Sequence, residues 1–316
     1  MVQTESCLSE YLQEVIGDPA VCPCDVLVLS YRTKCDKPPP PNSEKMMKNV
    51  EYIYTGEKWT SWSKGRNVLY REAMKRKQEY LYFIIMDDDI VLEREEAVWG
   101  SESIDSPWRR FEEFLVQIEP ATAAIDTEDK LWLRRAARGR KNLGCKVDES
   151  AEYVSVARYD SIFNAFHNKT IRNIFPYPLK FDRISWIFAP MCLSIKIELM
   201  YAGHSVLHSR IFATNQSRQL YYHKRWPNAS SWNAIVDEAA SRLPEKYQNC
   251  SLMQGWRRDG IRHEQKSPTI CLPPPPPKMP IQEFAFVDGA ATRIFVRLEY
   301  MIIYFILILL YCSQLI

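Results

Sequence analysis

The stretch YLYFIIMDDDIVLE, from Tyr80 to Glu93, limits the fold of this chain more than any other part of the sequence. Its apolar and aromatic run, Tyr82 to Met86, ends directly at three aspartates, after which the apolar pattern resumes at Ile90. A short, unbroken apolar run predicts a strand buried on both faces, as in the parallel sheets of α/β proteins. Three adjacent carboxylates repel one another and lose hydration beside such a strand, so a bound divalent cation explains them best.

The segments before this run predict two strands followed by a helix. Cys24–Tyr31 is rich in Val and Leu, Val50–Thr55 is β-branched and aromatic, and the apolar spacing that follows predicts a helix from about Asn67 to Gln78. With Tyr80–Met86 as the next strand this is a βαβ unit, whose two strands are parallel. We therefore expect an α/β fold with a Rossmann-like, mostly parallel sheet flanked by helices.

The second half of the chain predicts further elements joined by irregular segments. Capping residues and apolar spacing predict two helices, at Pro107–Ile118 and about Met191–Ala202, and two strands, at Ala121–Ile125 and Ser205–Phe212. The basic segment from Leu133 to Lys146 is interpreted as a solvated loop or helix face, with a contact surface for an anionic acceptor as the alternative.

Two proline runs and an apolar tail suggest the domain organisation. We expect an N-terminal extension at 1–20, one α/β domain at 21–270, a proline-rich linker at 271–299 and a hydrophobic tail at 300–316. The domain divides into a first half, about 24–125, and a second half, about 126–270. The tail is slightly shorter than the roughly 20 residues that cross a bilayer. It is a membrane segment, a buried terminal helix or a stretch appended by an error in the gene model.

Net charge excludes one class of partner. At pH 7 the formal net charge is only +2, whereas binding to a phosphate backbone needs a concentrated basic surface, so we expect no nucleic-acid partner. The nine cysteines include no C-x-x-C pair, which favours disulfides plus at least one free thiol over a metal cluster.

Glycosylation triplets favour the secretory pathway. The chain contains four sequons of the form Asn-x-Ser/Thr, beginning at Asn168, Asn215, Asn228 and Asn249. No apolar signal segment opens the sequence, so either the true N-terminus is missing or the chain is cytosolic. We expect a location in the Golgi or ER lumen, with membrane contact through the tail.

The position of the aspartates indicates their chemistry. Ligands of open α/β sheets bind at the carboxyl ends of the strands, and Asp87, Asp88 and Asp89 stand at such an end. In an extended chain Asp87 and Asp89 point to the same side and Asp88 to the other. Carboxylate oxygens suit Mg²⁺ or Mn²⁺, which would clamp the phosphates of a diphosphate leaving group. The alternative is a solvated acidic turn that caps a following helix.

The apolar strand with its Asp-x-Asp, preceded by TSWSKGRNVLYREA, resembles the nucleotide-sugar half of animal GT-A glycosyltransferases over about Asp25 to Leu92. The resemblance implies that Asp89 is the direct metal ligand and Asp87 a ribose or second metal contact. It further implies that Arg66 and Asn67 contact the nucleotide, with Lys64 as a weaker assignment. Asp88 is placed beside the nucleotide, in a solvated or supporting role.

The resemblance also implies a late histidine as a third metal ligand. We assign His223, with His204 and His208 as the alternatives, since no motif selects among them. An inverting transferase needs a carboxylate base near the acceptor hydroxyl, and Asp182 is the candidate. Its alternative roles are a helix N-cap or an ion pair with Arg183. Trp186 is interpreted as a stacking floor for a sugar ring or as a core residue.

These observations lead to a functional hypothesis with two rivals. We expect a metal-dependent glycosyltransferase that moves a sugar from a nucleoside diphosphate donor, with a UDP-sugar as the expected donor, to a glycan or glycoprotein acceptor. In this scheme the first half of the domain is the donor half and the second the acceptor half. The rivals are an inactive glycan-binding or scaffold protein of the same fold and a cytosolic metal-dependent nucleotidyltransferase.

Overall fold

A computed structural model describes residues 1–8, 12, 24–35, 50–57, 60–95, 106–148, 150–215 and 227–274. It confirms the expected α/β fold, in which helices flank a central sheet. The strands of the sheet, in chain order, are β1 (Val2–Thr4), β2 (Val26–Ser30), β3 (Val50–Tyr54), β4 (Tyr82–Asp87), β5 (Ile90–Arg94), β6 (Thr122–Thr127), β7 (Tyr153–Ser155), β8 (Phe163–His167) and β9 (Ser205–Asn215).

The helices lie between these strands and after the last of them. In chain order they are α1 (Trp62–Met74), α2 (Pro107–Ile118), α3 (Leu131–Asn142), α4 (Asn168–Ile174), α5 (Phe188–Met200), α6 (Ala229–Ser241), α7 (Glu245–Gln248) and α8 (Ser251–Asp259). Short 3₁₀ turns lie at Leu179–Phe181, Gly260–Gln265 and Pro268–Cys271.

The strand order contains a topological switch beside β1. The order across the sheet is β3-β2-β1-β4-β8-β6-β9-β5, with β7 paired to β9. The chain proceeds outward from β1 to β2 and β3, then crosses through α1 to β4 on the other side of β1, and these four strands are parallel. Strand β8 is antiparallel to both β4 and β6. Open α/β sheets bind ligands where the strand order reverses in this way, here at the carboxyl ends of β1 and β4.

Strand β2 shows why the sheet is buried on both faces. All five of its residues are buried. Leu27 and Leu29 join the core that contains α1, α5 and α6, while Val26 and Val28 join the core beneath α2 on the opposite face. Because successive side chains of a strand point to opposite faces, the continuous Val/Leu run fills both cores.

Several predicted boundaries differ from the observed ones for local reasons. Helix α1 begins at Trp62 rather than about Asn67, because the Ser61 side chain accepts a hydrogen bond from the Lys64 N–H and caps the helix there. Helix α2 has the predicted Ser106 cap and begins at Pro107. The basic segment Leu133–Lys146 was predicted to be a loop or a helix face. Most of it is helical and belongs to α3.

The cysteines form the predicted mixture of disulfides and free thiols. Cys7 pairs with Cys35, and Cys145 with Cys271, with Cα–Cα separations of 5.0 and 5.8 Å that suit a disulfide. Cys192 and Cys250 are buried thiols outside these two disulfides.

The apolar tail at 300–316 and the linker from 275 onward lie outside the described residues. Over the ranges that are described, no helix combines the length and apolar character needed to cross a membrane.

Candidate functional site

The three aspartates stand at the switch point of the sheet. Asp87 is the last residue of β4, and Gln3 of β1 lies opposite it in the parallel register. Asp88 and Asp89 form the turn between β4 and β5. On the other side, the Asp87 N–H donates to the Ile162 carbonyl, 2.9 Å away, just before β8 begins. The carboxylates therefore lie where elements from both halves of the domain meet.

Asp87 is held by two donors from α1. The Arg66 Nη2 donates to Asp87 Oδ1 at 2.5 Å, and the Trp62 Nε1 donates to the same oxygen at 3.3 Å. The pKa of Asp87 is raised to about 6: burial is the largest cause, the Arg66 guanidinium opposes it, the nearby Asp89 carboxylate adds to it, and the hydrogen bonds from Arg66 and Trp62 oppose it. A divalent cation at this position would supply the positive charge that favours the ionised form.

Arg66 lies behind the carboxylate and is almost fully buried. Its side chain is only 1% exposed, against 29% for Asp87. The guanidinium carbon lies 3.8 Å from the centre of the Trp62 ring, a cation–π contact that fixes both side chains. The contacts of Arg66 with Asp87 and Trp62 make it a support of the Asp87 carboxylate, and the predicted contact of Arg66 with a nucleotide stays a prediction.

Asp88 and Asp89 differ in their surroundings. Burial raises the pKa of Asp88 above its usual value, and the neighbouring Thr4 side chain opposes this in part. The Asp89 carboxylate raises the pKa of both Asp87 and Asp88, so it lies close to each of them. As predicted from the alternation of an extended chain, Asp88 has a protein neighbour on the β1 side while Asp87 faces α1.

The donors that the protein offers fit one divalent cation bound together with a substrate. Among the described residues, no group of three or more His, Cys, Asp or Glu side chains could hold a metal ion. Mg²⁺ is usually bound by one or two carboxylates plus substrate phosphates and water, and Asp87 with Asp89 supplies that number.

The N-terminus of α1 faces the same region. Ser61 caps the helix, and Lys64 Nζ pairs with the Glu57 carboxylate at 2.6 Å. Gly65 allows the helix to approach β1 closely, because a Cβ there would lie 2.1 Å from the Gln3 side-chain oxygen. A helix N-terminus carries partial positive charge and free N–H groups, which favour a bound phosphate. A nucleotide contact by Lys64 stays a prediction.

Asp182 is brought to this site from the second half of the domain. One of its carboxylate oxygens, Oδ2, accepts a hydrogen bond from the Ser61 hydroxyl. The other, Oδ1, is buried and accepts no hydrogen bond from any residue that the structure describes. Since Ser61 and Trp62 are consecutive, Asp182 and Asp87 are held by neighbouring residues of α1. Catalysis by Asp182 stays a prediction, and its observed partner Ser61 differs from both alternatives considered above.

An aromatic cluster of Trp62, Tyr177 and Trp186 adjoins the Asp87 carboxylate through Trp62. The ring centres of Trp62 and Tyr177 are 5.0 Å apart in an edge-to-face arrangement, and those of Trp62 and Trp186 are 5.7 Å apart. Trp62 and Trp186 are partly exposed. Partly exposed tryptophans offer an apolar face to a ligand together with a polar N–H edge.

Asn67 joins the two halves of the domain. Its Nδ2 donates to the Tyr177 carbonyl at 2.9 Å, and its Oδ1 accepts from the Tyr177 N–H at 2.8 Å. Asn67 is 3% exposed and lies 110 residues from this partner. It was predicted to contact the nucleotide, but the observed bonds use both ends of its amide to position Tyr177.

The histidines considered as third metal ligands lie in two different situations. His204 and His208 are buried, and His208 contacts the rings of Phe114 and Tyr153 beneath α2, away from the aspartates. His223 lies outside the described residues. The last described residue before it, Asn215, is opposite Ile90 in the β5–β9 register, one position beyond Asp89. A metal contact by His223 therefore stays a prediction.

We expect the folded protein to lose stability as the pH falls from 6.5 to 5. Burial lowers the pKa of His204 from 6.5 to about 4 and that of His208 from 6.5 to about 3. Below pH 6.5 the unfolded chain binds protons that the folded chain does not, so this stability is complete above pH 6.5 and is lost on acidification. At pH 5 each of these two histidines lowers the free energy of unfolding by on the order of 2 kcal/mol, relative to its value above pH 6.5.

Urea unfolding across this pH range measures the loss. Asp87, with its raised pKa of about 6, acts in the opposite direction, so the comparison is between wild type and His208→Gln rather than between absolute values. The free energy of unfolding of the variant should depend less steeply on pH, because the variant takes up about one proton fewer than wild type when it unfolds. Equal slopes for the two proteins would contradict the assignment of His208 as a buried neutral group.

Sequence reasoning missed four residues of the site, namely Thr4, Ser61, Trp62 and Tyr177. Ser61 and Trp62 stand within the quoted segment TSWSKGRN, and an earlier helix start would have placed them at its cap and first turn. Nothing in the local pattern indicates Thr4 or Tyr177, because their partners are distant in the sequence.

When the chain is compared with known proteins, the only similarity found is a distant one to solved structures. No protein-family model and no curated protein matches the chain. Solved structures that match include S. aureus TarS 1-349, with 11% identity, a TM-score of 0.41, and coverage of 77% of this chain and 63% of that chain. TarS 1-349 in complex with UDP-GlcNAc matches with 11% identity, a TM-score of 0.40, and 76% and 63% coverage. The chain thus spans less than two thirds of the TarS chains, and similarity this low assigns neither a family nor an activity.

Proposed function

We propose that this protein is a metal-dependent glycosyltransferase that uses a nucleoside diphosphate sugar, with a UDP-sugar as the expected donor. The observation that supports it most is the position of Asp87 and Asp89 at the carboxyl end of β4, beside the point where the strand order reverses. In open α/β sheets this is where nucleotides bind. A protein usually supplies one or two carboxylate ligands to a metal ion that is bound to a diphosphate, and Asp87 with Asp89 provides two.

The roles around the donor follow from the observed contacts. Asp89 and Asp87 would hold Mn²⁺ or Mg²⁺, which would neutralise the charge of the departing diphosphate. Arg66 and Trp62 fix the Asp87 carboxylate from behind. The capped N-terminus of α1 directs its partial positive charge toward the phosphates.

The acceptor side is assigned to Asp182 and the aromatic cluster. Asp182 Oδ1 would take the proton of an acceptor hydroxyl while that oxygen bonds to the anomeric carbon of the donor sugar. The bond between that carbon and the diphosphate oxygen breaks, and the nucleoside diphosphate leaves with the electron pair. The partly exposed Trp62 and Trp186 offer the apolar faces against which a sugar ring stacks, which favours a glycosyl group over the nucleotidyl transfer of the second rival.

We further propose that the protein works in the lumen of the ER or Golgi. Disulfides persist in oxidising compartments, and both described pairs have suitable geometry. Of the sequon asparagines, Asn228 and Asn249 are exposed. Asn228 caps α6 through its Oδ1, which leaves its Nδ2 for a glycan. Asn168 is half-buried and the hydroxyl-bearing Thr170 of its sequon is fully buried.

We expect N-glycans at Asn228 and Asn249 when the protein is made in eukaryotic cells. Enzymatic deglycosylation should lower the mass of the wild type, and Asn228→Gln and Asn249→Gln should each remove one glycan, because both side chains face solvent. Asn168→Gln is the matched control and should leave the mass shift unchanged. A wild type whose mass does not respond to deglycosylation would support a cytosolic protein instead.

The proposed activity is tested by the affinity for UDP with Mn²⁺ and with a chelator. Metal-dependent binding supports the donor site. Binding of equal strength under both conditions, or none, removes the basis of the proposal.

A further inference from the structure

The exposed face of α3 carries a stripe of positive charge. Arg134, Arg138 and Lys141 are exposed and lie four and three residues apart, which places them on one side of the helix over about 10 Å. These three residues form the basic stripe. The helix contains five basic residues and no acidic one, whereas the whole chain has a formal net charge of only +2. Positive charge is therefore concentrated on this helix.

The opposite face of α3 is fixed against the domain. Arg135 pairs with the buried Glu264 carboxylate at 2.9 Å, and the Arg140 Nε donates to the Ile270 carbonyl at 2.7 Å. Both partners belong to the segment that follows α8. These contacts explain the two inward arginines as structural residues and keep the basic stripe facing outward.

The cations of the basic stripe are poorly neutralised. Arg134 lies 3.5 Å from the Asp129 carboxylate, and both side chains are at least 60% exposed. Within the ranges that the structure describes, no ion pair or side-chain hydrogen bond joins Arg138 or Lys141 to another residue. By contrast, the arginines of α2 and α8 each pair with a carboxylate at 2.7 to 3.0 Å. The basic stripe thus differs from the other charged helix surfaces of this protein.

This arrangement lowers the stability of α3. Arg134 and Arg138 are four residues apart and Arg138 and Lys141 three apart, spacings at which like charges on a helix repel each other. Arg134 also lies near the N-terminus of the helix, where the helix dipole disfavours a cation. A bound polyanion would remove both penalties, which helix stability alone does not explain.

Helix α3 begins at the sheet edge that carries the aspartates. Strands β4 and β6 run in the same direction, because each is antiparallel to β8. In the register of these pairs Asp126 of β6 is level with Asp87, two strand spacings or about 10 Å away. The Asp126 carboxylate accepts hydrogen bonds from the Trp132 and Leu133 N–H groups at 3.1 and 2.7 Å, which anchors the first turn of α3. A chain molecule that reaches the aspartate turn can therefore continue along the basic stripe.

We propose that the basic stripe binds an anionic polysaccharide, a glycan chain that carries carboxylate or sulfate groups. Arginine presents a planar pair of N–H donors that fits such groups, and lysine adds a compact point charge. The low net charge argues against nucleic acid, and the partly exposed Trp62 and Trp186 at the same edge suit sugar rings. As the acceptor of the transfer, this glycan would extend from the aspartates along α3. That role rests on the proposed function; binding to the stripe does not.

The test removes the stripe and measures binding of a defined anionic glycan. The stripe variant is Arg134→Gln/Arg138→Gln/Lys141→Gln, and the probe is a heparin hexasaccharide, titrated calorimetrically at two salt concentrations. Glutamine is a good helix former, and the substitutions remove like-charge repulsion. The variant should therefore unfold at the wild-type temperature or above, which shows that it is folded.

The matched control is Arg257→Gln/Arg258→Gln/Lys266→Gln, which removes the same number of cations, each of which pairs with a carboxylate. The stripe variant should bind the hexasaccharide at least about tenfold more weakly than wild type and with a shallower salt dependence, because fewer counterions are released. The control should retain wild-type affinity, because its cations belong to surface ion pairs.

The outcomes separate this proposal from the proposed function. No binding of the hexasaccharide by wild type, or equal losses in the stripe variant and the control, would overturn it. Tighter stripe-dependent binding to phosphatidylserine vesicles or single-stranded DNA than to the hexasaccharide would assign the stripe to a membrane or a nucleic acid and would overturn it as well. Both variants should keep wild-type UDP affinity in Mn²⁺. If the stripe binds the hexasaccharide but wild type binds no UDP, the polysaccharide surface stands and the glycosyltransferase assignment fails.

Discussion

Asp89→Asn is expected to lower the metal-dependent affinity for UDP by at least about 100-fold, while the protein stays folded. Asparagine preserves the shape of the side chain but removes the charge that a divalent cation requires. Asp89 lies in the turn after β4 and is partly exposed, so the substitution leaves the core unchanged. Calorimetric titration of UDP in Mn²⁺, with and without chelator, measures the effect.

The matched control is Asp237→Asn, which removes an exposed carboxylate on α6 that pairs with Arg257. That variant should retain wild-type affinity, because its carboxylate belongs to a surface ion pair of small energetic value. Wild-type UDP affinity in Asp89→Asn would show that Asp89 does not hold the metal and would leave the acidic turn as a solvated feature.

The second large effect is expected for Asp182→Asn, which should lower kcat by about 100- to 10,000-fold. The amide cannot take a proton from the acceptor, although it can still accept the hydrogen bond of the Ser61 hydroxyl through its carbonyl oxygen. The Asp87 and Asp89 carboxylates are unchanged in this variant. UDP affinity should therefore stay within about twofold of wild type, because the substitution affects the chemical step and not the binding of the nucleotide.

Release of UDP from a UDP-sugar, followed at saturating donor, measures turnover in this variant. The control is Ser61→Ala, which leaves the base in place but removes its hydrogen-bond donor, so it should lose less activity than Asp182→Asn. Equal turnover of Asp182→Asn and wild type would eliminate Asp182 as the base. A parallel loss of UDP affinity would indicate that Asp182 acts through the shape of the donor site rather than through proton transfer.

Local patterns were sufficient for the parts of the fold that depend on neighbouring residues. The continuous apolar character of β2 predicted a strand buried on both faces, and all five of its residues are buried. In β4 the same prediction holds only in part, because Tyr82 and Ile84 are half-buried. The capping pair at Ser106 and Pro107 fixed the start of α2. The position of the aspartates at a strand end followed from the same reasoning.

The supporting contacts of the site could not be predicted, because they join residues far apart in the sequence. Ser61 and Asp182 are 121 residues apart, and Asn67 and Tyr177 are 110 apart. Nothing in the sequence near either partner specifies such a pair; it exists only once the second half of the domain packs against α1. For Arg66 and Asn67 the residue types suggested ligand contacts; the structure adds that both side chains are buried and hydrogen-bonded within the protein, and a nucleotide contact by either stays a prediction.

The central claim is that Asp87 and Asp89 hold a metal on a nucleoside diphosphate. Calorimetry of UDP binding to the wild-type protein, in Mn²⁺ and then in excess chelator, tests it most directly. We predict saturable binding in Mn²⁺ that is at least about 100-fold weaker in chelator, since the metal supplies the charge between two carboxylates and the phosphates. Binding that is indifferent to the metal, or no binding under either condition, would contradict the account.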